Sequence, residues 1–511
     1  MSRLDPIDSR RLSAAVPVNP LYLSLISFII FLVTIAFATV QPTALIDHRP
    51  GTAYLLVAAT IVAVLAVTVK VCRQLGGHHA IVLHAPVFLT SWILLTLVPA
   101  GYYGMGNDEV MQSLYEMTYV DFRFSVWGLM LMAVGSLFVL LGYLLAMRLL
   151  HCPSSVSSRL GAERLELSVV LVAYAALVAV QLIGIVLNGI TYGAGSSSTN
   201  PITAIIAYLS VGPYVIIAVV SLNVFQGRWA PRYLVATVGS QLILAFTSGF
   251  SKPTLWLAII VLCSLLVSRS SPRWIVVPGL VGAMALVLVI PISEDLRAQT
   301  EEGVFDSRNP VSVVSATSDA YDNTWGQGLD EGWRVFVDKA LGRQAQTAHI
   351  PGVILMKTPS IIPYRGVEGF LALPAYLIPR AIWPTKPILS RGVEVSIDYL
   401  GYPSDTHSSS TVTVFGGGYI MAGWPGAALA ALLVGAMFAL VYRYSVASGA
   451  PAIYLALVPL IIDYEREFTL HILGLCQQLV MLSLLYRALV FFSRRPNPGM
   501  EDLAGSGGRA G

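Results

Sequence analysis

Residues 126–147 read VWGLMLMAVGSLFVLLGYLLAM, an apolar stretch of 22 residues that contains no charged side chain. A hydrocarbon core about 30 Å thick needs roughly 20 consecutive apolar residues for one helical crossing. A helix also satisfies its backbone polar groups internally, as a lipid environment requires. This stretch therefore predicts a transmembrane helix.

Comparable apolar runs recur along the chain. We therefore expect an all-α, polytopic membrane helix bundle with about 12 transmembrane helices. The predicted spans are 21–40, 52–72, 81–100, 126–147, 167–190, 202–222, 232–248, 253–268, 274–293, 417–442, 452–463 and 469–492.

The overall composition agrees with a membrane protein. Of 511 residues, 56% are hydrophobic and only 12% are charged, and the mean hydropathy is +0.72. A net charge of +3 is too small to indicate a nucleic-acid partner. The four cysteines lack metal-ligand spacing, and the sequence has no Asp-x-Asp pair and no Walker loop. We expect no metal and no cofactor.

Lysine and arginine are distributed unequally between the two predicted sides. Seventeen of the 31 fall in segments on the side of the N-terminus, and four fall in short segments on the other side. The positive-inside rule then predicts that both termini are in the cytoplasm of a cytoplasmic (inner) membrane protein. The remaining ten lie in one long segment, to which the rule does not apply.

That segment divides the chain. We expect an N-terminal membrane bundle at 1–293, a long extracytoplasmic loop at 294–416, C-terminal transmembrane helices at 417–492 and a cytoplasmic tail at 493–511. A loop of this length is usually functional. Apolar residues at helical spacing predict an amphipathic helix on the bundle or at the lipid interface; they are Trp333, Phe336, Val337, Ala340 and Leu341.

Six cations fall within about fifty residues of the loop, several of them in apolar surroundings. A guanidinium there suits a phosphate, which it can bind with two parallel hydrogen bonds. We favour a phosphate or pyrophosphate site, while anchoring to lipid headgroups remains the alternative. The six are Arg343, Lys357, Arg365, Arg380, Lys386 and Arg391.

Four sequence stretches resemble the bacterial oligosaccharide repeat-unit polymerases, the Wzy-type O-antigen and exopolysaccharide polymerases. They are GRQAQTAHIPG (342–352), PYRGVEGF (363–370), LPAYLIPRAIWPTKP (373–387) and VFGGGYIMAGWPGAALAALLVGAMFALVYR (414–443). The resemblance implies a GT-C-like glycosyltransferase. It would transfer a glycan from a polyprenyl-pyrophosphate carrier to a lipid-linked repeat unit, without a metal and at the outer face of the membrane. A chain-length regulator and a flippase are the implied protein partners.

Departure of polyprenyl pyrophosphate builds negative charge, which fixed cations would stabilise. Arg343, Arg365, Arg380 and Lys386 match the basic positions of the family, and Arg297 is a weaker fifth candidate. The attacking hydroxyl needs a proton acceptor. For that role the loop offers His349, Glu368 and His407.

Two rival functions remain. An O-antigen ligase would use the same donor with a lipid A-core acceptor. A transporter or flippase would require polar groups within the spans, and the predicted spans contain few ionisable residues, among them His84 and Asp463. The external turn Asp463–Glu467 either closes onto the long loop or is a solvated turn whose ion pairs contribute little.

Overall fold

The computed structural model describes residues 50–76, 83–105, 120–150, 165–188, 209–246, 251–268, 310–326, 328–378, 391–403 and 410–493, with isolated positions at 206, 287, 289–293, 295–296, 299 and 382–383. The regular secondary structure of these residues is entirely helical, and they contain no strand. The helices, in chain order, are α1 (Pro50–Gly76), α2 (Ala85–Met105), α3 (Ser125–Leu149), α4 (Leu167–Asn188), α5 (Gly212–Phe225), α6 (Pro231–Phe246), α7 (Ser251–Val267), α8 (Pro310–Thr324), α9 (Leu329–Lys357), α10 (Glu368–Leu371), α11 (Leu373–Leu377), α12 (Arg391–Asp398), α13 (Val414–Tyr444), α14 (Pro451–Ile462) and α15 (Phe468–Ser493).

The described residues confirm the expectation of a membrane helix bundle, but they do not establish the number of 12 spans. Six helical segments of the described chain are long and apolar enough to cross a membrane: Gly51–Arg73, Ala85–Tyr103, Phe122–Leu149, Leu167–Ile185, Val414–Tyr444 and Phe468–Ser493. Four other predicted spans correspond to the shorter helices α5, α6, α7 and α14. The predicted span 21–40, and most of 274–293, lie outside the described residues.

Helices α3 and α13 form the centre of the bundle, and small residues set their spacing. A Cβ on Gly142 would lie 2.2 Å from the carbonyl oxygen of Leu432, and one on Gly435 would lie 2.1 Å from that of Val139. Such contacts are possible only without a side chain, as is common where membrane helices pack closely. The two backbones therefore touch.

Helix α13 is interrupted. Ala422 and Gly423 have non-helical backbone angles, and Gly423 has a φ of +67°. A Cβ on Gly418 would lie 2.8 Å from Cβ of Ala430, whereas a continuous helix would separate the two residues by about 18 Å. Residues 414–421 therefore form a half-helix that folds back against residues 424–444.

Helix α9 crosses one end of the bundle and comes from the predicted external loop. Its second half is buried, in contrast to a helix at a lipid interface: Ala348 and Ile354 are inaccessible to solvent. A Cβ on Gly352 would lie 2.5 Å from the carbonyl oxygen of Phe124, at the start of α3. The loop thus begins as an integral part of the bundle.

Candidate functional site

The turn between α14 and α15 carries three carboxylates that are buried. Asp463 is 6% exposed, Glu465 is 9% exposed and Glu467 is 2% exposed. The turn is attached to the start of the half-helix, because Thr413 N donates to Glu465 O at 3.0 Å and Val414 N donates to Tyr464 O at 2.9 Å. The turn is therefore docked into the bundle, and the solvated alternative is wrong.

Three cations from separate parts of the chain surround two of these carboxylates. Lys252 Nζ lies 3.1 Å from Asp463 Oδ1 and 3.2 Å from Glu465 Oε2. Arg466 Nε donates to Asp463 Oδ2 at 2.7 Å. Arg343 Nη2 lies 3.5 Å from Glu465 Oε2. We call these five residues the charge cluster; it holds one more positive than negative group.

The cations of the charge cluster determine the ionisation of Asp463. Burial disfavours its charged form, but the nearby Lys252 and Arg466 outweigh that effect and hold the pKa of Asp463 well below its usual range. Asp463 is therefore ionised at neutral pH. A buried ion pair of this kind keeps long cationic side chains in fixed positions.

Glu467, the last residue of the same turn, directly precedes the first residue of α15. Its Oε2 accepts from Thr469 N at 3.0 Å and from Leu470 N at 3.3 Å, and its Oε1 accepts from Thr469 Oγ1 at 2.8 Å. Burial raises the pKa of Glu467 to about 7, although these hydrogen bonds and the charge of Arg391 favour the ionised form. Glu467 is thus a buried carboxyl that titrates near neutral pH.

A second group of charges lies beside Glu467. Glu394 is paired with both Arg365 and Arg391, and Arg365 also donates to Asp398 at 2.7 Å. We call these four residues the arginine network. It is attached to the far end of the half-helix, because Arg365 N donates to Ile420 O at 3.0 Å. The half-helix therefore connects the charge cluster to the arginine network.

The structure places the site residues predicted from sequence in different surroundings. Arg343 belongs to the charge cluster and Arg365 to the arginine network. His349 is fully buried and stacks on Phe122 with ring centroids 4.7 Å apart. Glu368 is exposed at the start of α10. Four candidates lie outside the described residues: Arg297, Arg380, Lys386 and His407.

Burial lowers the pKa of His349 to about 3, with a small opposing effect of Asp121. Neither ring nitrogen has a hydrogen-bond partner among the described residues. His349 is therefore neutral and enclosed, and the structure places neither it nor Glu368 in the charge cluster. Both remain untested as proton acceptors.

The sequence singles out the turn Asp463–Glu467, because four charges in five residues follow an apolar helix, but it leaves open whether the turn is docked or solvated. It does not single out Lys252. Nor does it single out His471, which is buried one turn into α15 with Nδ1 3.2 Å from the carbonyl oxygen of Asp463. Lys252 gave no signal of its own, since nothing local connects it with Asp463.

Within the described residues, no set of three His, Cys, Asp or Glu side chains is arranged to hold a metal ion. The cations of the charge cluster suit an anionic ligand instead. Comparisons with protein-family models, with curated proteins and with solved structures gave no match.

Proposed function

We propose that this chain transfers a glycan from a polyprenyl-pyrophosphate carrier to a hydroxyl of a lipid-linked repeat unit, as a polysaccharide polymerase of the cytoplasmic membrane. The observation that carries the proposal is the charge cluster: Lys252, Arg343 and Arg466 held together at one end of an apolar bundle. A substrate with an apolar tail and a diphosphate head matches that combination.

The reaction makes one bond and breaks one. The acceptor oxygen attacks the anomeric carbon of the donor, the bond from that carbon to the pyrophosphate oxygen breaks, and its electron pair leaves with the pyrophosphate. Cations that are already in place stabilise this charge without reorganisation. In the proposed mechanism the diphosphate replaces Asp463 and Glu465 as the partner of Lys252, Arg343 and Arg466.

The arginine network supports the same interpretation. Arg365 is one of the basic positions carried by the family resemblance, and it shares the carboxylate of Glu394 with Arg391, whose charge acts on Glu467. The network and the charge cluster together supply five cations at one end of the bundle. Headgroup anchoring alone would not require buried carboxylates to hold these cations.

A transporter of lipid-linked sugars is the second candidate, and the interruption of α13 favours it. Transport proteins often form their sites from discontinuous helices, with half-helix ends near the substrate. We rank it lower because the charges of this site lie at one end of the bundle and not midway along it.

The deciding experiment uses a deletion strain of the host, in which surface polysaccharide and its lipid-linked precursors are separated on gels. A polymerase predicts single repeat units on the acceptor and loss of the polymer ladder. Polymer that stays on the lipid carrier and does not reach lipid A-core would instead indicate a ligase. Repeat units trapped at the cytoplasmic face would indicate a flippase and overturn the proposal.

A further inference from the structure

The two loop candidates for the proton acceptor that the structure describes, His349 and Glu368, lie outside the charge cluster, whereas another carboxyl belongs to the turn that carries it. Glu467 shares a five-residue turn with Asp463 and Glu465. Its hydrogen bonds leave acceptor capacity, since Oε1 accepts only one of the two bonds that a carboxylate oxygen commonly accepts. Gly417 in the half-helix faces the side chain and supplies no competing polar group.

We infer that Glu467 accepts the proton of the attacking hydroxyl, and that Gly417 positions it. The inference rests on the proposed function. When the acceptor oxygen bonds to the anomeric carbon, its proton passes to an oxygen of Glu467. The electron pair of the broken carbon–oxygen bond leaves with the pyrophosphate, which the charge cluster holds. Glu467 returns to its ionised form by releasing the proton to water after product departs.

The surroundings of Glu467 suit this role. Arg391 of α12 is the charged group outside its own turn that acts on it, and α15 contributes Thr469 and Leu470. Burial raises the pKa of Glu467 to about 7, and the hydrogen bonds from α15 and the charge of Arg391 limit the rise. A proton acceptor works best when its pKa is near the working pH, because it is then both available and basic enough.

The acceptor sugar would approach from the arginine network. Arg391 is partly exposed and Glu394 more so, whereas Glu467 is nearly enclosed. The loop packs on the residue that follows Glu467, since Phe370 of α10 lies against Phe468 with ring centroids 4.7 Å apart. Movement of α10 away from the start of α15 would open the carboxyl to a hydroxyl.

A structural role would also account for the hydrogen bonds, because Glu467 sits where an N-terminal cap of α15 belongs. The two roles differ in what Glu467→Gln changes. Glutamine keeps an oxygen that accepts from the backbone N–H groups but loses the basic oxygen. A cap predicts altered stability with unchanged pH dependence, whereas a proton acceptor predicts loss of the acidic limb of the rate profile.

The test uses the full chain in nanodiscs with lipid-linked oligosaccharide extracted from host membranes. Wild type, Glu467→Gln and the half-exposed control Glu331→Gln are compared for polymer formed across pH. We expect Glu467→Gln to lose about 10²–10⁴-fold in rate and the control to match wild type. Wild-type rate and pH profile in Glu467→Gln would overturn the assignment while leaving the transferase intact; no transfer by wild type would overturn both.

A second variant covers the case in which Glu467→Gln does not fold. Replacing Arg391 by Met removes a charge that lowers the pKa of Glu467, so the acidic limb should move to higher pH. Infrared difference spectra of wild type should show a carboxyl titrating over the same range, independently of turnover. An unmoved limb in Arg391→Met would contradict the assignment.

Discussion

The backbone of Gly417 lies against the side chain of Glu467: a Cβ at position 417 would be 2.7 Å from Cγ of Glu467 and 3.4 Å from its Oε1. The half-helix and the charged turn therefore meet without a side chain between them. Thr413 contributes to the same junction, because its Oγ1 accepts from Gly416 N at 3.1 Å and caps the half-helix.

Gly417→Ala should therefore destabilise the protein by roughly 1–3 kcal/mol, because the new methyl group displaces Glu467 in a tightly packed contact. Thermal unfolding in detergent measures the change. Gly239→Ala in α6 is the matched control, since nothing lies within 4 Å of its added carbon. The control should gain about 0.5–1 kcal/mol from helix propensity. Equal stability of the two variants would show that the contact between Gly417 and Glu467 has room for a methyl group.

Arg343→Gln should reduce glycan transfer about 10²–10³-fold, because one of the cations that stabilise the leaving group is lost. Arg334→Gln is the control: Arg334 lies on the same helix, is exposed and pairs with Glu331. Polymer formed per molecule of inserted protein is the measurement. Arg343→Lys should recover only part of the rate, since lysine cannot bind phosphate with two parallel hydrogen bonds. Wild-type transfer by Arg343→Gln would remove Arg343 from the site.

Lys252→Met should destabilise the protein by roughly 1–3 kcal/mol near neutral pH, as it leaves buried carboxylates short of a partner. The estimate is at the low end for a buried pair because the lysine side chain is 37% exposed. The depressed pKa of Asp463 means that its ion pairs stabilise the fold above about pH 4 and lose this effect as pH falls further. The difference in melting temperature between variant and wild type should therefore shrink in acid. A constant difference would argue against the ion pair.

His349→Leu tests whether the buried histidine is catalytic or structural. With a folded-state pKa of about 3, His349 stays neutral while the unfolded chain takes up a proton below about pH 6.5. Wild type should thus lose stability as pH falls through that range, and the variant should lose less. We expect His349→Leu to retain glycan transfer. Circular dichroism measures the unfolding of both proteins across pH. Lost transfer in a stable variant would restore His349 as a proton-acceptor candidate.

Single cysteines test the proposed orientation. Arg334 is exposed on α9, and Ser448 is exposed in the turn before α14, at the opposite end of that helix from Asp463. In a background without the four native cysteines, a membrane-impermeant maleimide should label Arg334→Cys in intact cells. Ser448→Cys should react only after the cells are broken. The reverse pattern would place the charge cluster in the cytoplasm.

Much of the helical framework could be predicted because lipid imposes a simple rule on sequence. Segments such as 126–147 and 469–492 are apolar over the length of a crossing, and the structure has candidate spans at both. The interruption of α13 was not predicted. Gly423 and Pro425 sit within a continuous apolar run, and only the packing of Gly418 against Ala430 reveals that the chain reverses there.

The sequence by itself determined a membrane bundle and marked Arg343 and Arg365 as candidate cations of a pyrophosphate site. Only the tertiary structure decided their partners. Lys252 and Asp463 are 211 positions apart, so no local pattern connects them. A buried charge is stable only beside an opposite charge or a hydrogen-bond partner, and which residues meet depends on how the helices pack. The same packing encloses Glu467, in a turn that the sequence left either docked or solvated, and this burial raises the pKa of Glu467 to about 7.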